Sequence, residues 1–291
     1  MYIGIQVAIV CTSTDVYNAI LALMSCANET FPNYIVGKIN NVSCVITQVA
    51  IGILSLQRSV YDIMNCYQPQ VLIYAELAYS RNPEIKIGDV VVSGYVCADN
   101  AIYISCNSIL SQNNAVEFNN NVNISSPCNI VSNQNNVTGT NNNNSYSIMT
   151  IIPGYNYLCS VAKKYGAIIG IQGTSNNVVS SIDWVNAFNH VYHTDTGDNG
   201  ALGFAYAAIT FSIPFIVIQG ISSSVYQPDQ TSTVQGTFAI SNLLNNLLSA
   251  ITFNFPLDRI NFSDLSSKSL GTQYGNVVSN NVKMTPPKVV G

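Results

Sequence analysis

Short runs of β-branched and aliphatic residues alternate along this chain with longer stretches whose apolar positions recur every three or four residues. The first kind predicts strands over about 2–11, 33–39, 42–50, 70–75, 88–97, 167–172 and 213–220. The second predicts helices over about 14–26, 53–67, 154–165, 199–210 and 233–251. Two strand runs, VLIYA and IPFIVIQG, are apolar at nearly every position. A strand with one wet face alternates, whereas one that is apolar throughout must be covered on both faces. Strands alternating with helices in this way imply an α/β fold in one domain, its sheet enclosed between helices.

The pattern stops between residues 100 and 162, where Glu117 is the only charged side chain. The run NNNVNISSPCNIVSNQNNVTGTNNNNSYS has neither helical nor strand periodicity, and a loop of that length inside a compact domain is functional or disordered. A second appendage follows the last helix, with Pro256, Pro286 and Pro287 among scattered polar residues. The predicted organisation is an α/β domain over 1–253 with an Asn-rich insertion at about 100–150, then a C-terminal extension or arm over 254–291.

Composition changes the picture of the surface. The chain is 48% hydrophobic but only 8% charged, where an ordinary soluble domain carries about 25% charged residues. That combination excludes a disordered chain. A formal net charge of −4 supplies no positive field for phosphate backbones, so nucleic acid is not an expected partner. No stretch reaches the roughly eighteen apolar residues of a membrane span. The opening 27 residues lack a basic start and are interrupted by Thr12, Ser13, Thr14 and Asp15, so they read as strand and helix and not as a leader. With so few charges the exterior is dressed in Asn, Ser, Thr and Tyr, and Asn alone is about an eighth of the chain. Weakly charged surfaces repel one another little, which favours contact between copies of the chain. On composition alone the protein is placed outside the cytosol, in an extracellular or secretory/vacuolar setting.

The remaining candidate chemistry is thin. Eight cysteines without a CxxC pair indicate neither a zinc knuckle nor a disulfide scaffold. Cys11 and Cys44 sit in apolar runs and read as buried free thiols; Cys97, Cys106 and Cys128 border or lie in polar loop sequence and have pairing open to them in an oxidising compartment. Sequons stand at Asn28, Asn41, Asn123, Asn136, Asn143 and Asn261, but about six would arise by chance at this Asn content. His190, His193 and Asp195 in HVYHTDTGD have a spacing that suits metal ligands. The plainer reading is a polar loop ahead of a helix, with Asp195 or Asp198 near its N-terminus, so no metal and no cofactor is expected. No G-x-S-x-G elbow supports a Ser-His-Asp triad. Arg58 reads as a surface or interface charge, and Trp184 as a core or interface residue.

Four stretches share an order with a known family. PQVLIYAELAYSRNPEIKIGDVVVSGYV at 69–96 resembles the part of nucleoside phosphorylases and nucleosidases in which a strand leads to a Gly-rich turn and then to a "GDVVVS" strand. IGIQVAIV (3–10) is similar to that family's first strand, VITQVAIG (45–52) to its strand ending in Ser-Gly-x-Gly, and IPFIVIQGISSS (213–224) to its strand ending in Arg-x-Ile-Ser-Asp. The resemblance implies a single-domain, three-layer nucleoside-phosphorylase-like fold with a central mixed, twisted sheet flanked by helices.

The matches fall on sheet-forming positions and the departures on chemical ones. The family cleaves an N-glycosidic bond through an oxocarbenium-like transition state, which calls for an acid for the leaving base and a grip on the ribose. Where the resemblance places the acid this chain has Ser223, and where it places the ribose-holding Glu, ungapped counting from Pro214 gives Gly200, with Asp198 two positions short. Thr12 follows the first strand where nucleosidases carry a water-activating carboxylate. The Ser-Gly turn has become Ala50-Ile51-Gly52, and the Gly-rich turn Glu76-Leu77-Ala78-Tyr79, whose bulk would obstruct a close backbone approach. Thr12, Gly52, Ala78, Asp198, Gly200 and Ser223 are accordingly the vestigial pocket positions of an expected pseudoenzyme. The expectation is a non-catalytic, self-assembling structural protein, with its own copies as partners. The alternatives are a storage protein, as in the plant bark storage proteins that resemble the same family, and a divergent nucleosidase or nucleoside-binding protein.

Overall fold

The computed structural model describes residues 4–30, 33–98, 151–175, 182, 185 and 194–253. The Asn-rich insertion, the 254–291 arm, Trp184, His190, His193, Cys106, Cys128 and the sequons from Asn123 onward lie outside the described residues.

All seven predicted strands form. The first half of the chain runs β1 (Val7–Cys11), α1 (Thr14–Leu21), β2 (Ser25–Thr30), β3 (Tyr34–Ile39), β4 (Val42–Gln48), α2 (Ile53–Cys66), β5 (Val71–Ser80) and β6 (Val90–Ala98). The second half runs β7 (Ile151–Pro153), α3 (Asn156–Lys164), β8 (Ile168–Thr174), β9 (Thr196–Asp198), α4 (Ala201–Thr210), β10 (Phe215–Ser224), β11 (Gln227–Thr231) and α5 (Thr233–Ala250). Asn40 and Asn41, at φ 48° and 66°, turn β3 into β4, as Asn does at left-handed hairpin positions.

The strands make one mixed sheet. β1 pairs in parallel with β4 on one edge and with β5 on the other. Beyond β5 the sheet closes on itself: β5 pairs with β10, β10 with β6, β6 with β8, β8 with β9, and β9 again with β5. One face packs under α1, α3 and α5, with Ile9, Ile73, Ile216, Leu158 and Leu244 in its core. The other packs under α2 and α4, with Val10, Tyr74, Val217, Leu56 and Phe204. VLIYA and FIVIQG are buried at every position, as strands between two helical layers must be. Among the described residues no helix is long and apolar enough to cross a membrane.

Three expectations need correction. The helix predicted over 14–26 stops at Leu21, and Ser25–Thr30 forms an edge strand against β3. Its SCANET sequence carries no alternation because five of its six residues are exposed, and Cys26 at φ 54° accompanies a register shift. The strand predicted at 70–75 continues to Ser80, because β10 pairs with it from Leu72 onward and supplies hydrogen bonds that local sequence does not announce. Cys97 lies buried within β6 and not in a loop. Cys11 and Cys44 are buried free thiols, and burial pushes the Cys44 thiol up to about 12.

Candidate functional site

The strand order reverses at β1, since β4 lies on one side of it and β5, reached through α2, on the other. Segments leaving the sheet in opposite directions open a crevice beyond the carboxyl ends of the strands, the usual place for a ligand in such sheets. Here the crevice is an open cavity of about 580 Å³, walled by Thr12 and Ser13 after β1, by Gln48 to Ile51 after β4, and by Glu76 of β5. Gly52, at φ 131°, starts α2 from this loop with a backbone conformation that residues with a Cβ rarely adopt. It leaves Ile51, 63% exposed, on the cavity wall.

Glu76 is the residue the sequence reading undervalued. Parallel pairing sets Val10 beside Tyr74, so Glu76, two residues further along β5, comes level with the loop that follows β1. Its Oε2 accepts hydrogen bonds from the backbone N–H of Thr12 at 2.6 Å and of Ser13 at 2.7 Å, and from the Thr12 hydroxyl; Oε1 accepts from Leu77 N–H at 2.8 Å. Ser13 is the N-cap of α1, a position where an anion is favoured by both the free N–H groups and the helix dipole. Glu76 therefore does not obstruct the site as bulk: it carries a negative charge to its wall, only 5% exposed. Gln48 ties the β4 side to the same loop through Thr12 O at 3.2 Å and Thr14 Oγ1 at 2.8 Å.

Asp198 takes the corresponding part at the head of α4. It accepts from Thr174 Oγ1 at 2.9 Å, from Gly200 N–H at 3.3 Å and from Ala201 N–H at 3.1 Å. The plain reading of Asp198 as a residue near a helix N-terminus is thus borne out. It is 4% exposed, and burial raises its carboxyl to about 6 against the hydrogen bonds from Thr174, Gly200, Ala201 and the neighbouring Gln172 amide, which favour the charged form. Asp198 does not line the cavity. Between the two carboxylates stands Tyr74, wholly buried, its hydroxyl beside Thr12, Glu76 and Asp198 but without a hydrogen bond of normal geometry. Burial first, then the charges of Asp198 and Glu76, push that phenol well above its usual range, so it remains a donor.

Of the six positions expected to be vestigial, the structure brings only Thr12 to the cavity wall. A Cβ on Gly200 would lie 2.0 Å from Leu56 Cδ1 and 3.4 Å from the Tyr74 hydroxyl, so the space a longer side chain needs there is filled. Ala78 is buried with Ile85, Val91 and Ile221. Ser223, half-buried, pairs with Tyr79 and Thr231 where β10 bulges. Asp195 is engaged by Asn82 Nδ2 and Ile171 N–H, each at 2.9 Å, and Arg58 is exposed on α2. Among the described residues no three His, Cys, Asp or Glu stand close enough to hold a metal. Sequence reasoning also passed over Gln172 and Gln219, both wholly buried; they accept from Ser93 Oγ at 2.6 Å and Thr196 Oγ1 at 2.5 Å, and the Nε2 of Gln219 has no hydrogen-bond partner. Polar residues inside otherwise apolar strand runs were the available signal.

A central mixed sheet closing on itself between two helical layers, with its crevice at β1, is the nucleoside phosphorylase/nucleosidase fold. The MTA/SAH nucleosidase of Streptococcus pneumoniae superposes with a TM-score of 0.62 at 14% identity, covering 84% of this chain and all (100%) of that one. The 5'-methylthioadenosine/S-adenosylhomocysteine nucleosidase of Colwellia psychrerythraea gives 0.61 at 16% identity, covering 84% and 95%. Futalosine hydrolase of Helicobacter pylori gives 0.62 at 13% identity, covering 85% and 99%. No protein-family model matches the chain, and no curated protein matches its sequence.

These neighbours overturn the expectation of a self-assembling structural protein. The three solved structures named above, matched over nearly their whole length, are nucleosidases and a hydrolase, and the crevice of this chain holds a cavity with a carboxylate on its wall. The composition argument failed because a charge-poor surface bears on solubility and association and carries no information about the crevice.

Proposed function

We propose that the chain is a nucleoside-binding protein of the nucleosidase fold that holds its ligand in the β1 crevice and does not release the base. The observation that carries the reading is the cavity at the strand-order reversal, with Glu76 set into its wall by the amides of Thr12 and Ser13. Its volume is within the range of small-molecule sites. Supporting the absence of turnover, Ser223 offers a hydroxyl in place of an acid, and the Asp198 carboxyl is already engaged at the head of α4. A divergent nucleosidase is the competing reading, favoured by the position of Glu76, a carboxylate beside the cavity.

Calorimetric titration with adenosine, inosine, uridine and 5'-methylthioadenosine, together with chromatographic detection of free base, tests both. Saturable binding without base release above the buffer rate is expected. Binding that Ala50→Trp leaves unchanged, or no binding to any nucleoside, counts against the crevice. Base release that Glu76→Gln abolishes establishes the nucleosidase instead.

A further inference from the structure

We infer that Glu76 is a built-in anion that occupies a phosphate cradle, so that the crevice accepts neutral ligands and refuses a phosphate group, whether free or esterified. The inference rests on the reading of the crevice as the ligand site and names what that site selects. Three donors converge on one oxygen: Thr12 N–H, Ser13 N–H and the Thr12 hydroxyl all reach Oε2. The N-cap amide of α1 and the amide before it, joined by a hydroxyl, make an oxyanion site for phosphate, sulfate or carboxylate alike. A second observation points the same way. The Tyr74 hydroxyl, wholly buried and without a hydrogen bond of normal geometry, stands beside that carboxylate and offers a further donor.

The cradle is in contact with the open cavity, yet the donors are already taken. A tethered carboxylate competes with a free anion as though it were present at high local concentration, and its charge repels a second anion arriving alongside. A nucleoside has no such group and meets neither obstacle. Removing the carboxylate vacates two amides and a hydroxyl of the right geometry for a tetrahedral oxyanion.

The phosphate arm uses the full chain without nucleoside, so that failure of nucleoside binding and failure of this inference are separable. Wild type and Glu76→Ser are titrated with inorganic phosphate and, in a parallel arm, with adenosine 5'-monophosphate against adenosine, at ionic strength matched with chloride. Glu76→Ser is expected to bind phosphate at least about tenfold more tightly than wild type, the scale of one or two charge-assisted hydrogen bonds, and to take the nucleotide that wild type refuses. If the variant is loosened, phosphate or formate is expected to raise its melting temperature and leave that of wild type unchanged, and Glu76→Gln, which keeps the side-chain length, supplies a second folded test. Wild type binding phosphate as well as Glu76→Ser does, or a folded Glu76→Ser that gains no phosphate affinity, overturns the inference.

Discussion

The heads of α1 and α4 carry the same device in different surroundings. Each presents amides at its start to a carboxylate: for α1 the distant Glu76, and for α4 the adjacent Asp198, aided by Thr174. Glu76 lies on the wall of an open cavity. Asp198 is 4% exposed and does not line that cavity, and burial lifts its carboxyl to about 6. The difference teaches that a cap is a structural feature when water cannot reach it and part of a ligand site when water can. Similar capping roles therefore predict different responses to substitution.

Asp198→Ala is expected to have the largest effect. It strands the Thr174 hydroxyl and two amides where no water replaces the carboxyl, a loss of about 3 kcal/mol; urea denaturation at pH 5, where most of the group is neutral, measures it. Gly200→Ala forces Leu56 or the start of α4 to move, costing about 2 kcal/mol as overpacking does, read in the same way. Glu76→Ala is expected to cost less, about 1 kcal/mol, because water from the cavity can hydrogen-bond the vacated amides. An equal loss for Glu76→Ala and Asp198→Ala would break the comparison.

The pH dependence sharpens it further. A carboxyl raised on folding from 3.8 to about 6 stabilises the fold fully below the unfolded value and loses that contribution as pH rises through 6. The whole shift amounts to about 3 kcal/mol, of which about 1 kcal/mol falls between pH 5 and 7.5. Asp198→Asn, which cannot ionise, is therefore expected to gain about 1 kcal/mol relative to wild type over that interval, followed by thermal or urea denaturation at each pH. Smallest is Ala50→Trp, which fills the cavity from an exposed loop: stability within about 0.5 kcal/mol of wild type, with nucleoside affinity lost in calorimetry.

The layers of the fold were legible because they are written in local pattern. Unbroken apolar runs announced β5 and β10 as buried strands, and three-to-four-residue periodicity announced α2, α4 and α5. Illegible were β2, whose wet faces erase alternation, and the short β7, β9 and β11. The charge of the site was also hidden. Glu76 read as bulk in a lost turn because the amides that receive it belong to Thr12 and Ser13, more than sixty residues earlier.

By itself, then, the amino-acid order determined which segments are strands and helices and that the sheet is covered on both faces. Tertiary structure alone decided that Glu76 faces an open cavity while Asp198 is sealed, and that Tyr74 and Leu56 fill the space beside Gly200. The reason is physical. Periodicity records what each residue must avoid or meet one turn or one pleat away, whereas the parallel register of β1 with β5 is set only when the whole sheet assembles, and that register brings a carboxylate to the head of a distant helix.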